Sequence, residues 1–137
     1  MNHPFLLDTW AALWIVANEI SPATVEALSK ARNSGLLTYV SPITAWEIGN
    51  MARKGKFKSH YTPQRWFERL MSTPDTVLAE LSAKVLMESA FLPGYGHSDP
   101  ADRIIIATAR EYGYTVITRD AAILEYAKDG HLSALEC

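Results

Sequence analysis

Sulfur chemistry is almost absent from this chain: beyond four methionines there is one cysteine, Cys137. A single thiol closes no internal disulfide, and no Cys/His ligand spacing is present that could hold a structural zinc, so a reducing, cytoplasmic compartment is expected. Long apolar runs are missing too. The stretch from Trp10 to Ala17 is too short to cross a bilayer, and Met1 to Pro4 carry no basic leader; no membrane association is expected. Excess charge of either sign is also missing, because 13 Lys and Arg against 15 Asp and Glu leave a net charge of -2. That balance removes any global electrostatic argument for nucleic acid. Repeats, low-complexity tracts and linkers do not occur, and residues 1–137 are expected to form a single domain.

What remains is globular. An apolar fraction of 48% with 20% charged residues is enough to build a core at this length without staples. The pattern alternates between short apolar strands and capped helices. Phe5 to Leu7 reads as a strand, followed by a helix over Thr9 to Val16. Ser21-Pro22 opens a second helix, which runs to about Asn33–Gly35, because serine caps and proline fits the first helical position. Leu36 to Val40 is the next strand, and Ser41-Pro42 repeats the start signal for a helix through Arg53. Thr62-Pro63 opens a helix to Met71. Thr76 to Leu81 reads as a strand and Ser82 to Ala90 as a helix. Asp99-Pro100 starts a helix to Tyr112, Tyr114 to Thr118 is a buried strand, Asp120 begins a short helix, and Leu132 to Leu135 reads as an edge strand. Such βα alternation predicts an α/β fold with a parallel sheet covered on both faces, in which ligands gather at the carboxyl ends of the strands.

Acids collect at those ends. Asp8 and Asp120 lie at or just past the ends of predicted strands, and Glu47 lies one helical segment past another. Asp102 precedes Ile105, Ile106 and Ala109 at spacings of three, four and seven, so it heads the stripe expected to face the sheet, while Arg103, Ala107 and Arg110 are expected to point outward. Asp99 lies one turn earlier on the same side. Each of Asp8, Asp99 and Asp120 also stands where a helix needs an N-cap, and Glu47 has Lys54 within reach as a simple partner. Together, however, such carboxylates repel by up to about 4 kcal/mol per close pair at an effective dielectric near 20. A hard divalent cation, Mg²⁺ or Mn²⁺, is the natural counter-charge, and in phosphoryl chemistry it activates water and stabilises charge on the attacked phosphate. The basic residues are concentrated between Met51 and Leu70; of these, Arg53, Lys54, Lys56 and Lys58 are the candidate contacts to a phosphate backbone, if they are not simply a solvated face.

Other site chemistries fit less well. Asp8-Thr9-Trp10-Ala11-Ala12 has no glycine-rich turn for a dinucleotide pyrophosphate, and Trp10 stands where haloacid-dehalogenase-type phosphatases need a second aspartate. His97 precedes a helix cap and is expected to serve its loop. Trp46, Trp66, Phe67 and Tyr95 could stack bases or could simply pack.

Four segments, Leu6-Leu7-Asp8-Thr9, Ser41-Pro42-Ile43-Thr44-Ala45-Trp46-Glu47-Ile48, His97 through Ala107, and Val116-Ile117-Thr118-Arg119-Asp120, resemble in order and spacing the four acidic motifs of PIN-domain nucleases, in particular the VapC-like toxins of bacterial type II toxin–antitoxin pairs. The resemblance implies a three-layer α/β/α sandwich around a mainly parallel sheet of four to five strands. It further implies an endoribonuclease using one or two Mg²⁺ or Mn²⁺ ions, with products carrying 5′-phosphate and 3′-hydroxyl ends. A small cognate antitoxin and a homodimer belong to the same expectation. By motif position Asp8, Glu47, Asp102 and Asp120 would be catalytic and metal-binding, with Asp99 as a further ligand and Thr9 and Thr118 in support. Trp10 departs from the polar residue common after that first Asp-Thr. A catalytically silent RNA- or protein-binding module of the same fold is the competing reading.

Overall fold

A computed structural model describes residues 3–137; Met1 and Asn2, part of the stretch read above as lacking a leader, lie outside the described residues. Five strands, β1 (Phe5–Leu7), β2 (Thr38–Val40), β3 (Thr76–Leu78), β4 (Thr115–Thr118) and β5 (Ser133–Glu136), form one sheet in the order β3-β2-β1-β4-β5. Every pairing is parallel. The chain builds outward from β1 to β2 and β3, then crosses back to lay β4 on the other side of β1. This reversal makes the carboxyl ends of β1 and β4 the topological switch of the sheet, where a crevice is expected.

The seven helices of the described residues are α1 (Thr9–Val16), α2 (Pro22–Asn33), α3 (Pro42–Arg53), α4 (Pro63–Met71), α5 (Ala83–Ser89), α6 (Pro100–Tyr112) and α7 (Ala121–Lys128). Each starts on a side-chain cap: Asp8, Ser21, Ser41, Thr62, Ser82, Asp99 and Asp120 all accept a hydrogen bond from a backbone N–H in the first turn of their helix. These bonds satisfy donors that an unsupported helix end would leave open. Gly113 closes α6 at φ 74°, a left-handed conformation that glycine adopts without steric cost.

Alternation along the strands sorts the core into two layers. Leu6 and Val116 point to one side, among Val85, Ile105, Ile106 and Ile123 from α5, α6 and α7. Leu7, Val40 and Ile117 point to the other, among Ala11, Ala12, Ile48, Trp66 and Leu70 from α1, α3 and α4. The result is the expected α/β/α sandwich, with five strands.

Two sequence expectations fail here. The third strand ends at Leu78 rather than Leu81. On α6 the supposed outer face is not outer: Ala107 is buried in the core, as is every residue from Ile104 to Ala109. Arg103 is turned against the 89–97 segment rather than into water, and only Arg110 is exposed. A one-stripe reading fails because α6 has two covers, the sheet on one side and α5 with its following loop on the other.

Candidate active site

The register of the sheet places Leu7 beside Val40 on one side and Ile117 on the other, so the residues that follow these strands emerge side by side. Asp8 leaves β1 with its N–H donating to the Ile117 carbonyl (3.1 Å). Its two carboxylate oxygens have different partners. Oδ1 accepts from the Ala11 N–H at 2.7 Å, which caps α1, and Oδ2 accepts from the Thr118 hydroxyl. Thr118 Oγ1 in turn accepts from the Asp120 N–H at 3.0 Å. One buried hydroxyl thus links the acids at the ends of β1 and β4.

Glu47 is placed by a second threonine. Thr9 donates its hydroxyl hydrogen to Glu47 Oε1 and lies 3.2 Å from the Thr44 hydroxyl, one turn before Glu47 on α3. No ion pair between Glu47 and Lys54 forms among the described residues. Asp99 and Asp120 use one oxygen each as caps, accepting from the Asp102 and Ile123 N–H groups, both at 3.0 Å. Capping and site chemistry are therefore compatible, since a carboxylate has a second oxygen to offer.

Asp8, Thr9, Glu47, Asp99, Asp102 and Asp120 line one open cleft of about 520 Å³, together with Trp10, Trp14 and Arg119. Burial and neighbouring charge both act on the titration of these acids. Burial pushes the Asp102 carboxyl up to about 7, and the negative charges of Asp99, Asp120, Glu47 and Asp8 push it the same way. Burial also raises Glu47, against the hydrogen bond from Thr9 and with the repulsion of Asp99 and Asp8. Asp8 is raised by burial too, although its bonds from Thr118 and Ala11 pull it down. Asp8, Glu47 and Asp102, whose ionisation is opposed first by burial and then by neighbouring negative charge, would gain from a further counter-charge.

The donor chemistry fits a hard divalent cation: the acids offer only oxygen, and Arg119, the one cationic side chain lining the cleft, is the smallest of the influences on Asp8 and gives its Nε to the Cys137 carbonyl. Among the described residues no three His, Cys, Asp or Glu side chains are set close enough together to hold a metal ion between them, although an ion such as Mg²⁺ needs only one or two carboxylates while keeping several waters.

The basic candidates divide. Lys56 and Lys58 line a neighbouring groove of about 540 Å³, which shares Trp10 and Trp14 with the acid cleft; Arg53 and Lys54 do not line it. His97 is exposed, and its carbonyl rather than its ring is what binds Arg103. Trp66 and Tyr95 are buried core residues. Trp14 and Arg119 join the cleft without having been site candidates in the sequence, although the spacing of Trp10 and Trp14, four apart on one helix, places them together.

A parallel α/β sandwich with an acidic cleft at its topological switch belongs to the class whose chemistry is carried by carboxylates at strand ends. Within that class the match is to the PIN domain, over residues 5–129, and the chain belongs to the PIN domain family. It is 29% identical to Ribonuclease VapC22 of Mycobacterium tuberculosis (strain ATCC 25618 / H37Rv) over 117 residues, covering 84% of this chain and 85% of that one. Its fold is similar to the structure of VapBC2 from Rickettsia felis bound to a DNA fragment from their promoter (TM-score 0.70, 16% identity, 96% of this chain and 97% of that one). It is also similar to FitAcB from Neisseria gonorrhoeae (TM-score 0.52, 21% identity, 96% of each chain). Among the described residues no helix is long and apolar enough to cross a membrane.

Proposed function

We propose that this protein is a cytoplasmic, Mg²⁺- or Mn²⁺-dependent endoribonuclease, acting as the toxin of a toxin–antitoxin pair. The observation that carries the reading is the convergence of Asp8, Glu47, Asp99, Asp102 and Asp120, from separate parts of the chain, on one cleft. It is supported by the ribonuclease name of the mycobacterial relative and by the motif resemblance, which also implies a small antitoxin and a homodimer.

Asp8, Glu47, Asp102 and Asp120 would hold one or two cations, with Asp99 as a further ligand. The bound cation supplies a polarised water and a positive charge to offset that on the attacked phosphate. The chain's own contribution is positional. Thr118 and the α1 N-terminus fix both oxygens of Asp8, Thr9 fixes Glu47, and the caps orient Asp99 and Asp120, so the oxygen donors are set before any ligand arrives. Among the basic candidates, Lys56 and Lys58, in the groove next to the cleft, would meet the RNA backbone.

The test is cleavage of RNA by the purified chain with Mg²⁺ or Mn²⁺, against Asp8→Asn. Asparagine still caps a helix, so the variant should fold while losing about 100-fold or more of the rate, as expected when charge stabilisation at the transition state is removed. Products should carry 5′-phosphates. A 2′,3′-cyclic phosphate, or equal cleavage by the variant, overturns the reading; binding of RNA without cleavage under either metal favours the silent module.

A further inference from the structure

An acidic cleft attracts cations but repels the phosphodiester it is meant to receive, so affinity for RNA has to come from its surroundings. The other side chains lining the cleft provide them. Trp10 and Trp14 occupy consecutive turns of α1, with ring centroids 6.0 Å apart and planes inclined by 35°. Both rings line the acid cleft and also the groove that holds Lys56, Lys58 and His60, and so form the ridge between the two. Arg119 lies over Trp14, its Cζ 3.7 Å from the ring centroid, and is held there by donation from its Nε to the Cys137 carbonyl (2.8 Å). Trp10, by contrast, is 55% exposed, two residues from the buried Asp8. A large aromatic surface left open at the mouth of a cleft, backed by a cation and followed by lysines, suits a planar, electron-rich group joined to a polyanion.

We propose that the Trp10–Trp14–Arg119 ridge is a nucleobase platform, on which one unpaired base of a single-stranded RNA stacks beside the acid cleft while the adjoining backbone continues past Lys56 and Lys58. The inference rests on the ribonuclease reading and names how its substrate is held. Stacking suits this position because it does not depend on the charge of the neighbouring acids. It also selects single strands, since a duplex keeps its base faces inside the stack. On its groove side the ridge faces Lys56 and Lys58 against the single acid Glu19, a balance that favours RNA over a basic protein segment as the occupant there.

The test is equilibrium binding of short fluorescein-labelled oligoadenosine to the full chain in a chelator, so that no cleavage intervenes. Trp10→Ala should weaken binding by about 5- to 150-fold, the range for loss of one stacked base, and Trp10→Phe should recover most of it. An oligonucleotide with abasic positions should bind parent and Trp10→Ala alike. Parental affinity in Trp10→Ala overturns the proposal and leaves the ridge as a protein-binding surface. A loss that is the same on the abasic strand, or that phenylalanine does not recover, overturns it as well. Cleavage with metal is scored separately. Trp10-dependent binding in a chain that cuts nothing keeps the platform and sinks the nuclease, whereas cutting with no dependence on Trp10 does the reverse.

Discussion

Arg103 donates from its guanidinium to the carbonyl oxygen of His97 at 2.7 Å, and the same side chain reaches the carbonyls of Ser89, Tyr95 and Ala90 at 2.8, 3.1 and 3.3 Å. Four acceptors on one side chain fasten the 89–97 segment to the first turn of α6. That turn also carries Asp102, so the fastening of the loop and the placement of an acid share one helical turn.

Replacing Arg103 with alanine leaves four carbonyls without this donor, and a loss of about 2–4 kcal/mol in unfolding free energy is expected, at the upper end for single substitutions. Lysine keeps the charge but not the planar fork, so Arg103→Lys should recover less than half. Urea denaturation measures the first effect. Amide exchange should show faster opening at residues 90–98 in both variants.

Thr118 donates to Asp8 and accepts from the Asp120 N–H. Thr118→Val keeps the shape and removes both bonds inside the fold, so a destabilisation of about 1–3 kcal/mol is expected. RNA cleavage should fall with it, while Thr118→Ser should restore both. If valine lowers stability but leaves the cleavage rate at its parental value, the hydroxyl serves the fold alone.

The metal-free protein should lose stability as pH rises towards neutrality. The Asp102 carboxyl, ordinarily at 3.8, is pushed up to about 7 by burial and then by the neighbouring acids, so the folded chain keeps a proton that the unfolded chain has released. The resulting stabilisation is full below the ordinary value and is lost as pH rises through about 7. Glu47 and Asp8 are raised in the same direction. Melting temperature measured in chelator should therefore decline from about pH 5 to about pH 8, and added Mg²⁺ or Mn²⁺ should raise it more at the higher pH, where the acids are ionised. Asp102→Asn should flatten the decline; an unchanged profile would show that Asp102 does not carry it.

Lys56 and Lys58 line the groove next to the cleft, whereas Arg53 and Lys54 do not. Replacing the first pair with alanine should lower the magnitude of the salt slope of RNA binding by about 1.4, at roughly 0.7 per phosphate contact on a single strand. The Arg53→Ala, Lys54→Ala pair should leave the slope in place. Equal slopes in both variants would remove the loop from the RNA path.

Much of this architecture was legible from local signals. A cap residue and a proline at the first helical turn act over a few residues, so Ser21-Pro22, Ser41-Pro42, Thr62-Pro63 and Asp99-Pro100 each mark a helix start where one is found. Alternating strands and helices imply a parallel sheet because parallel partners need a crossover, and the placing of Asp8 and Asp120 at strand ends follows from it. The outward reading of Arg103 and Ala107 failed because periodicity along one helix does not report how many neighbours cover it.

By itself, then, the order of residues determined the helix starts, the α/β class and which acids follow strands, since those depend on contacts a few positions apart. Tertiary structure alone decided that Thr118 bridges Asp8 and Asp120, that Thr9 on α1 holds Glu47 on α3, that Arg119 settles on Trp14, and that Lys56 and Lys58 rather than Arg53 and Lys54 line the groove next to the cleft. Those relationships cross from one element to another, and their distances are set by strand register and core packing, which no local stretch of sequence contains.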